Sequence, residues 1–287
     1  MEVGERDPHT GKLTTGHEWN GIKELDTPVP KPVLFFLGAT ILFAILWTTL
    51  MPAWPIVTDY TRGLLGVDQK TTVEASIAAA TAERADWSAR LLSEDFAAIE
   101  ADAALMTVVR EAGASLFGDN CAACHGALGR GNTGYPNIAQ APMLWGDDPA
   151  TILETLRVGI NSTHPDTRYA QMLAFGRDQM LQRDDIEHVV AYVRGLSDPT
   201  VADPDGAGAQ IFVDNCTGCH GASAEGMTES GAPNLTDAFW IYGGDAEAVF
   251  TSVYYGRQGH MPTWEGRLSE TDLKLLAVYV DDLRSGS

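Results

Sequence analysis

Asp119-Asn-Cys-Ala-Ala-Cys-His-Gly126 and Asp214-Asn-Cys-Thr-Gly-Cys-His-Gly221 write the same Cys-x-x-Cys-His signature twice, about 95 residues apart. The likeness runs wider than the cysteines. Gly113-Ala-Ser-Leu-Phe-Gly-Asp-Asn-Cys121 aligns without a gap on Gly208-Ala-Gln-Ile-Phe-Val-Asp-Asn-Cys216. A period of this length is too long for a solenoid repeat and fits a small domain. All 4 cysteines fall inside the two signatures, and three readings compete for them. A disulfide within Cys-x-x-Cys closes a very small loop and adds little. A zinc site also begins Cys-x-x-Cys, but two knuckles sharing one zinc usually lie closer in sequence. Covalent attachment of c-type heme accounts for the whole signature. One helical turn presents both thiols to one porphyrin edge, and the histidine that follows, His125 or His220, ligates the iron.

Outward from the signatures, each half repeats one order of parts. Pro136-Asn137-Ile138 answers Pro233-Asn234-Leu235, and Trp145 answers Trp240. A helical stretch ending at Gly159 answers one ending at Gly256, both good C-terminal cap residues. In the last segment of each half, Ile186, Val189, Val190 and Val193, and likewise Leu273, Leu276 and Val280, fall at helical spacing. No strand-like alternation shows in these halves. The expected fold is all-α: an N-terminal transmembrane helix, a helical spacer and two tandem class I cytochrome c domains at 113–199 and 205–287, joined by a linker across Ser197–Gly208. Each core is too small to stand well without its porphyrin.

The second axial position of each iron needs another donor. In the second half, Met261 precedes Pro262, which stiffens the backbone beside the thioether; His260 is its rival. In the first half Met172 aligns with Met261, with Leu173 in place of the proline and with His164 and Met180 as rivals. A thioether opposite histidine raises the reduction potential, and a second histidine lowers it. Met106 and Met180 read as core filling, and Met143 and Met227 as weaker loop candidates. Because each repeat looks complete, the default pairs His125 with Met172 and His220 with Met261. Iron filled on both faces admits no substrate, which favours electron transfer over catalysis. His9, His17, His164 and His188 are isolated, and no catalytic constellation is visible.

Val33–Met51 is uncharged and continues through Trp54. About 20 helical residues span about 30 Å of hydrocarbon, so 32–55 is expected to cross the lipid bilayer once. The run is too long and too far from the start for a signal peptide, and no small-residue cleavage site follows it. Lys12, Lys23 and Lys31 precede it and only Arg62 and Lys70 follow closely, which puts the polar segment 1–31 in the cytoplasm. The heme halves then lie on the outer, periplasmic side, where bacterial heme attachment occurs. Residues 56–112 read as a helical spacer, with Ser93 as an N-cap and Leu91, Leu92, Phe96 and Ile99 as an apolar stripe. The formal charge of −20 argues against nucleic acid. It is most concentrated in residues 200–287, with 4 basic and 13 acidic side chains. That imbalance suits a partner with a basic face, or serves solubility alone.

Thr14-Thr-Gly-His-Glu-Trp-Asn-Gly-Ile-Lys-Glu-Leu25, an apolar run ending in Met51-Pro-Ala-Trp-Pro55, and two Cys-x-x-Cys-His halves together resemble the diheme cytochrome c subunit of cbb3-type cytochrome c oxidases, over essentially the whole chain. Two departures are Lys31-Pro32-Val33, where aromatic residues often stand, and Leu173 after the first methionine. The resemblance implies a subunit of a bacterial inner-membrane terminal oxidase reducing oxygen to water in aerobic respiration, with two covalently bound heme c groups. Its heme–copper oxidase centre would lie on a separate catalytic subunit. Electrons would arrive from a soluble or membrane-anchored cytochrome c donor and leave through a monoheme cytochrome c subunit. On that basis Cys121, Cys124, His125 and Met172 hold one heme, Cys216, Cys219, His220 and Met261 the other, and the polar N-terminal segment lies against the catalytic subunit. The alternatives that stay open are a diheme peroxidase, which needs one open iron position, and a free-standing anchored shuttle or a dehydrogenase subunit.

Overall fold

The computed structural model describes residues 4–201, 203 and 206–286, so the linker expected at Ser197–Gly208 lies partly outside the described residues. The chain divides into two compact units, Met1–Ala82 and Glu83–Ser287.

The first unit opens with an antiparallel hairpin, β1 (Thr14–Trp19) and β2 (Ile22–Leu25). Asn20 and Gly21 both take positive φ, 53° and 85°, the demand of a two-residue type I′ turn. Helix α1 (Lys31–Leu50) starts at a proline pair and buries none of its side chains within the chain. Its length and composition suffice to cross a membrane. It ends short of the expected boundary because Pro52 and Pro55 cannot continue the helical ladder. A small hairpin follows, β3 (Pro55–Ile56) and β4 (Asp59–Tyr60). The chain then folds back, and Leu64 and Leu65 donate their N–H groups to the carbonyls of Thr49 and Leu50. Gly63 makes that return possible: its φ is +70°, and a Cβ there would lie 2.4 Å from the Leu50 oxygen. The two hairpins are the strands in a mainly helical chain.

Helix α2 (Gln69–Ser93) spans the division between the units. The second unit continues with α3 (Phe96–Ala101), α4 (Ala103–Asn120), α5 (Ala122–His125), α6 (Pro149–Val158), α7 (Arg183–Ser197), α8 (Ala207–Asn215), α9 (Thr217–His220), α10 (Ala246–Tyr255) and α11 (Glu270–Ser285). Side chains of Asp95, Asp102, Asp148, Asp245 and Ser269 accept from backbone N–H groups in the first turns of α3, α4, α6, α10 and α11, satisfying donors that otherwise lack partners. Asp95, not Ser93, caps the helix after α2, and Ser93 is the last residue of α2. The expected spacer is also more than a spacer. Leu91, Ile99, Leu105, Met106 and Val109 form a buried core with Leu275 and Val278 of α11.

The final helices of the two halves cross over. Helix α7, at the end of the first half, packs on α8 and α10 of the second; α11, at the end of the second half, packs on α4 and α6 of the first. Two cores result. One gathers Phe117, Ile152 and Leu156 with Trp264, Leu273, Leu276, Ala277 and Val280. The other gathers Phe175, Ile186, Val189, Val190 and Val193 with Phe212, Val249 and Val253. Polar ties follow the same exchange. Arg110 donates twice to Asp282 at 2.6 and 2.9 Å, Arg284 reaches the carbonyls of Ile138 and Ala141, and Arg194 Nε donates to the Gly244 carbonyl at 3.0 Å. The halves are repeats in sequence, but neither closes its own core.

Candidate heme sites

Each Cys-x-x-Cys-His signature forms a one-turn helix at the end of a longer one. Cys121 caps α4 and opens α5; Cys216 caps α8 and opens α9. The His125 N–H donates to the Cys121 carbonyl and the His220 N–H to that of Cys216, at 2.9 and 3.0 Å. Each turn stops at a glycine with positive φ, Gly126 and Gly221. The next turn is pinned in both halves, Gly131 donating to the His125 carbonyl and Gly226 to that of His220. Glycine is required at Gly131 and Gly226, since a Cβ would lie 2.7 Å from the Tyr135 oxygen and 2.5 Å from the Ala232 oxygen.

The imidazoles are oriented from the backbone. His125 Nδ1 lies 3.1 Å from the Pro136 carbonyl oxygen and His220 Nδ1 3.0 Å from that of Pro233. A carbonyl can only accept, so Nδ1 carries the proton and Nε2 keeps its lone pair for a metal. Burial lowers both histidine pKa values, with the carbonyl contact opposing it more weakly, and this favours the neutral imidazole a metal binds. Burial also pushes the first thiol of each pair up, Cys121 and Cys216 both to about 11. The Pro-Asn loops read as connectors in the sequence; their role as histidine anchors needs a contact that sequence spacing does not supply.

Both chambers have apolar walls. Cys121, Ala122, Ile138, Met143 and Met261 pack against the core built on Phe117, and Cys216, Leu235, Trp240 and Met172 against the core built on Phe212. The methionines thus sit across the exchange: Met261 with Cys121, and Met172 with Cys216. Short ladders fix both loops. Ile160 and Met261 exchange two backbone hydrogen bonds, as do Met172 and Arg257. Gly159 and Gly256 admit them closely, since a Cβ would lie 2.5 Å from the Met261 and Met172 carbonyl oxygens respectively.

The rival ligands are placed differently. His164 Nε2 is 2.9 Å from Glu265 Oε2, and its Nδ1 accepts from the Asp166 N–H. His260 is exposed. His188 is half-buried and 3.2 Å from Asp203. Met180 is 50% exposed, which corrects its reading as core filling, whereas Met106 is buried at 5%. Met143 shares the chamber of Cys121. Among the described residues, no three His, Cys, Asp or Glu side chains converge as a metal-binding group. Two thiols, a histidine with Nε2 free and an apolar chamber holding a thioether make a donor set that fits covalent heme, twice.

Comparison with known proteins agrees along the chain. Residues 11–58 match the family described as the N-terminal domain of cytochrome oxidase-cbb3, FixP; residues 110–197 match cytochrome c; residues 203–280 match cytochrome c oxidase, cbb3-type, subunit III. The cbb3-type cytochrome c oxidase subunit FixP of Bradyrhizobium diazoefficiens is 44% identical over 284 residues, 98% of either chain. Subunit CcoP of Cereibacter sphaeroides is 43% identical over 95% of each, and CcoP of an Azospirillum species 38% identical over 100% of each. With the cofactor set the sites fit, two covalent heme c groups, this chain belongs to the FixP/CcoP family of cbb3-type cytochrome c oxidase subunits.

Proposed function

We propose that this chain is the electron relay of a cbb3-type terminal oxidase, receiving single electrons from a cytochrome c donor and passing them towards a heme–copper catalytic subunit through a monoheme subunit. The observation that carries it is the paired signature, each copy with its histidine locked by a proline carbonyl at the wall of an apolar chamber. Bound heme c supplies a one-electron iron couple. The polypeptide holds each group by two thioethers, orients the imidazole, and excludes water with the leucine, valine and aromatic walls. On this reading α1 anchors the protein in the bacterial inner membrane, with residues 1–31 cytoplasmic and the heme region periplasmic. The peroxidase alternative is not favoured, because the relatives compared over the full chain are oxidase subunits.

We propose that the ligand sets are crossed: His125 and Met261 would hold one iron, and His220 and Met172 the other. Support comes from the packing of each methionine with the other half's cysteine. In a chain with Cys216 and Cys219 changed to serine, one heme remains. Met261→Leu is then expected to abolish the near-infrared band of methionine-ligated ferric heme, and Met172→Leu to leave it. Loss of the band with Met172→Leu and its survival with Met261→Leu would restore own-half pairing; loss with Met143→Leu alone would transfer the role to Met143.

Donor docking is assigned to the acidic second half. Cys219 is exposed at its signature, and Asp214, Glu225 and Glu229, all exposed, lie on the segments around it. Ser230 beside Glu229 donates to the Cys219 carbonyl at 3.2 Å, which holds that loop against the signature. Electrostatically steered encounter slows as salt screens it. Stopped-flow oxidation of a basic cytochrome c should slow about tenfold between low and physiological ionic strength, and charge-reversal at Glu225 and Glu229 should flatten the dependence. Kinetics independent of salt would reject this docking face.

A further inference from the structure

Between Trp54 and Lys70 the chain is built inside out. The one buried residue of this stretch is an acid, Asp68, while Trp54, Ile56, Val57, Leu64, Leu65 and Val67 are all exposed. The polar groups turn to one another instead. Tyr60 Oη and the Lys70 N–H donate to Asp68 Oδ1 at 3.0 and 2.9 Å. Trp54 and Thr61 close a ring: the Thr61 N–H donates to the Trp54 carbonyl at 2.8 Å, and the Trp54 N–H to Thr61 Oγ1 at 3.0 Å. A segment folded for water hides its large apolar side chains where it can. An apolar exterior over satisfied polar groups marks a surface that meets something apolar.

The return of the chain onto α1 identifies that surroundings. Leu64 and Leu65 donate their N–H groups to the Thr49 and Leu50 carbonyls, both at 3.0 Å, so these leucines stand level with the last turn of the helix. Helix α1 has 20 residues. At about 1.5 Å per residue it is about 30 Å long, the thickness of the hydrocarbon layer. Its last turn therefore reaches the boundary between acyl chains and head groups, and the leucines tied to it lie there too. Backbone groups at that depth must find partners within the protein. Here the helix-end carbonyls of Thr49 and Leu50, which have no partner inside the helix, accept from the returning leucines. Tryptophan and tyrosine favour the same boundary, and Trp54 and Tyr60 flank the small β3–β4 hairpin.

We infer that residues 54–67 form a foot bedded in the lipid surface where α1 leaves the bilayer, a membrane contact additional to the span itself. The inference rests on the reading of α1 as the span. From Trp54 to Val67 the charged side chains are Asp59 and Arg62, of opposite sign and 3.9 Å apart. The segment has no net charge to draw it to anionic head groups, so apolar burial drives the contact.

The test places a nitroxide on single introduced cysteines in the full-length chain carrying both hemes, reconstituted into phosphatidylcholine vesicles without the other oxidase subunits. Val57→Cys, Leu64→Cys and Leu65→Cys probe the foot, Leu42→Cys the span, and Glu111→Cys, exposed on α4, supplies the aqueous reference. Power-saturation EPR compares collisions with oxygen, which enters lipid, and with a water-soluble nickel chelate. The expected result is a loss of chelate collisions at the foot labels relative to Glu111→Cys, a depth between those of Glu111→Cys and Leu42→Cys, and no change when anionic lipid is added. All three foot positions are exposed, and should one variant fail to assemble, the other two carry the test. Foot labels as open to the chelate as Glu111→Cys, with Leu42→Cys still shielded, would overturn the foot and leave the span. Shielding that appears only in the assembled oxidase would give the surface to a protein subunit, and shielding that needs anionic lipid would make the contact electrostatic; either overturns the foot as described. A Leu42→Cys label open to the chelate would overturn the span, and the foot with it.

Discussion

A chain that ends at Leu268, without α11, is expected to lose the heme of the first signature, although Cys121, Cys124, His125 and both methionines remain. Helix α11 buries Leu273, Leu275, Leu276, Ala277, Val278 and Val280, and it lies on α4 and α6. Burying a large aliphatic side chain is worth about 1.5–3 kcal/mol. Losing five of them removes on the order of 10 kcal/mol, which is as much as a domain's whole margin of stability. The core around Leu91, Ile99 and Val109 opens as well, because Leu275 and Val278 complete it. The measurement is heme-peptide mapping of the truncated chain by mass spectrometry. Heme retained at Cys216 and missing from Cys121 is the expected pattern, because the second chamber draws its last helix from α7. The reverse pattern is what own-half packing requires, and it would overturn the exchanged arrangement. A milder version is Leu276→Ala, expected to cost about 2–5 kcal/mol. In chemical denaturation the methionine–iron band of the first site should then be lost before that of the second.

This exchange is the part of the fold that sequence could not reveal, and the reason is physical. Ile186, Val189, Val190 and Val193 define an apolar face on α7, and Leu273, Leu276 and Val280 define an equivalent face on α11. Periodicity tells which side of a helix is buried; it does not tell which of two similar partners buries it. The same holds for the iron ligands. Cys121, Cys124, His125 and their counterparts are contiguous, so local spacing carries their geometry. Met172 and Met261 reach their chambers through loops, and repeat alignment alone pairs them with the nearer histidine. The Asn20-Gly21 turn is legible from turn chemistry, whereas polarity alone presents the segment around it as featureless. Ser93 and Asp95 illustrate the limit of cap reading. Both residue types suit the position, and only the accepted hydrogen bond from the Ala98 N–H distinguishes Asp95.

The repeated Gly-Ala-x-x-Phe stretch gives the exchange its sharpest test. Gly113 lies on α4 where α11 crosses, and Gly208 lies on α8 where α7 crosses. An added Cβ at Gly208 would stand 2.3 Å from the His188 carbonyl oxygen and 2.7 Å from Tyr192 Cβ; at Gly113 the nearest atoms belong to Tyr279, at 2.7 Å. The first contact is with backbone, so no rotamer change relieves it and the helices must part. Gly208→Ala is therefore expected to cost about 3 kcal/mol or more, at the severe end of overpacking. Gly113→Ala should cost less, because the Tyr279 ring can turn aside even though its Cβ cannot. Gly118, on the same helix as Gly113 with nothing within 4 Å of its absent Cβ, supplies the control. Gly118→Ala should be neutral or stabilising by up to about 1 kcal/mol, since alanine loses less backbone entropy in a helix. Denaturation followed at the individual hemes separates the outcomes. Gly208→Ala must weaken the second chamber first, and Gly113→Ala the first. If Gly208→Ala matched Gly118→Ala in stability, α7 could not lie against α8 as described, and the crossed axial ligands would lose their structural basis with it.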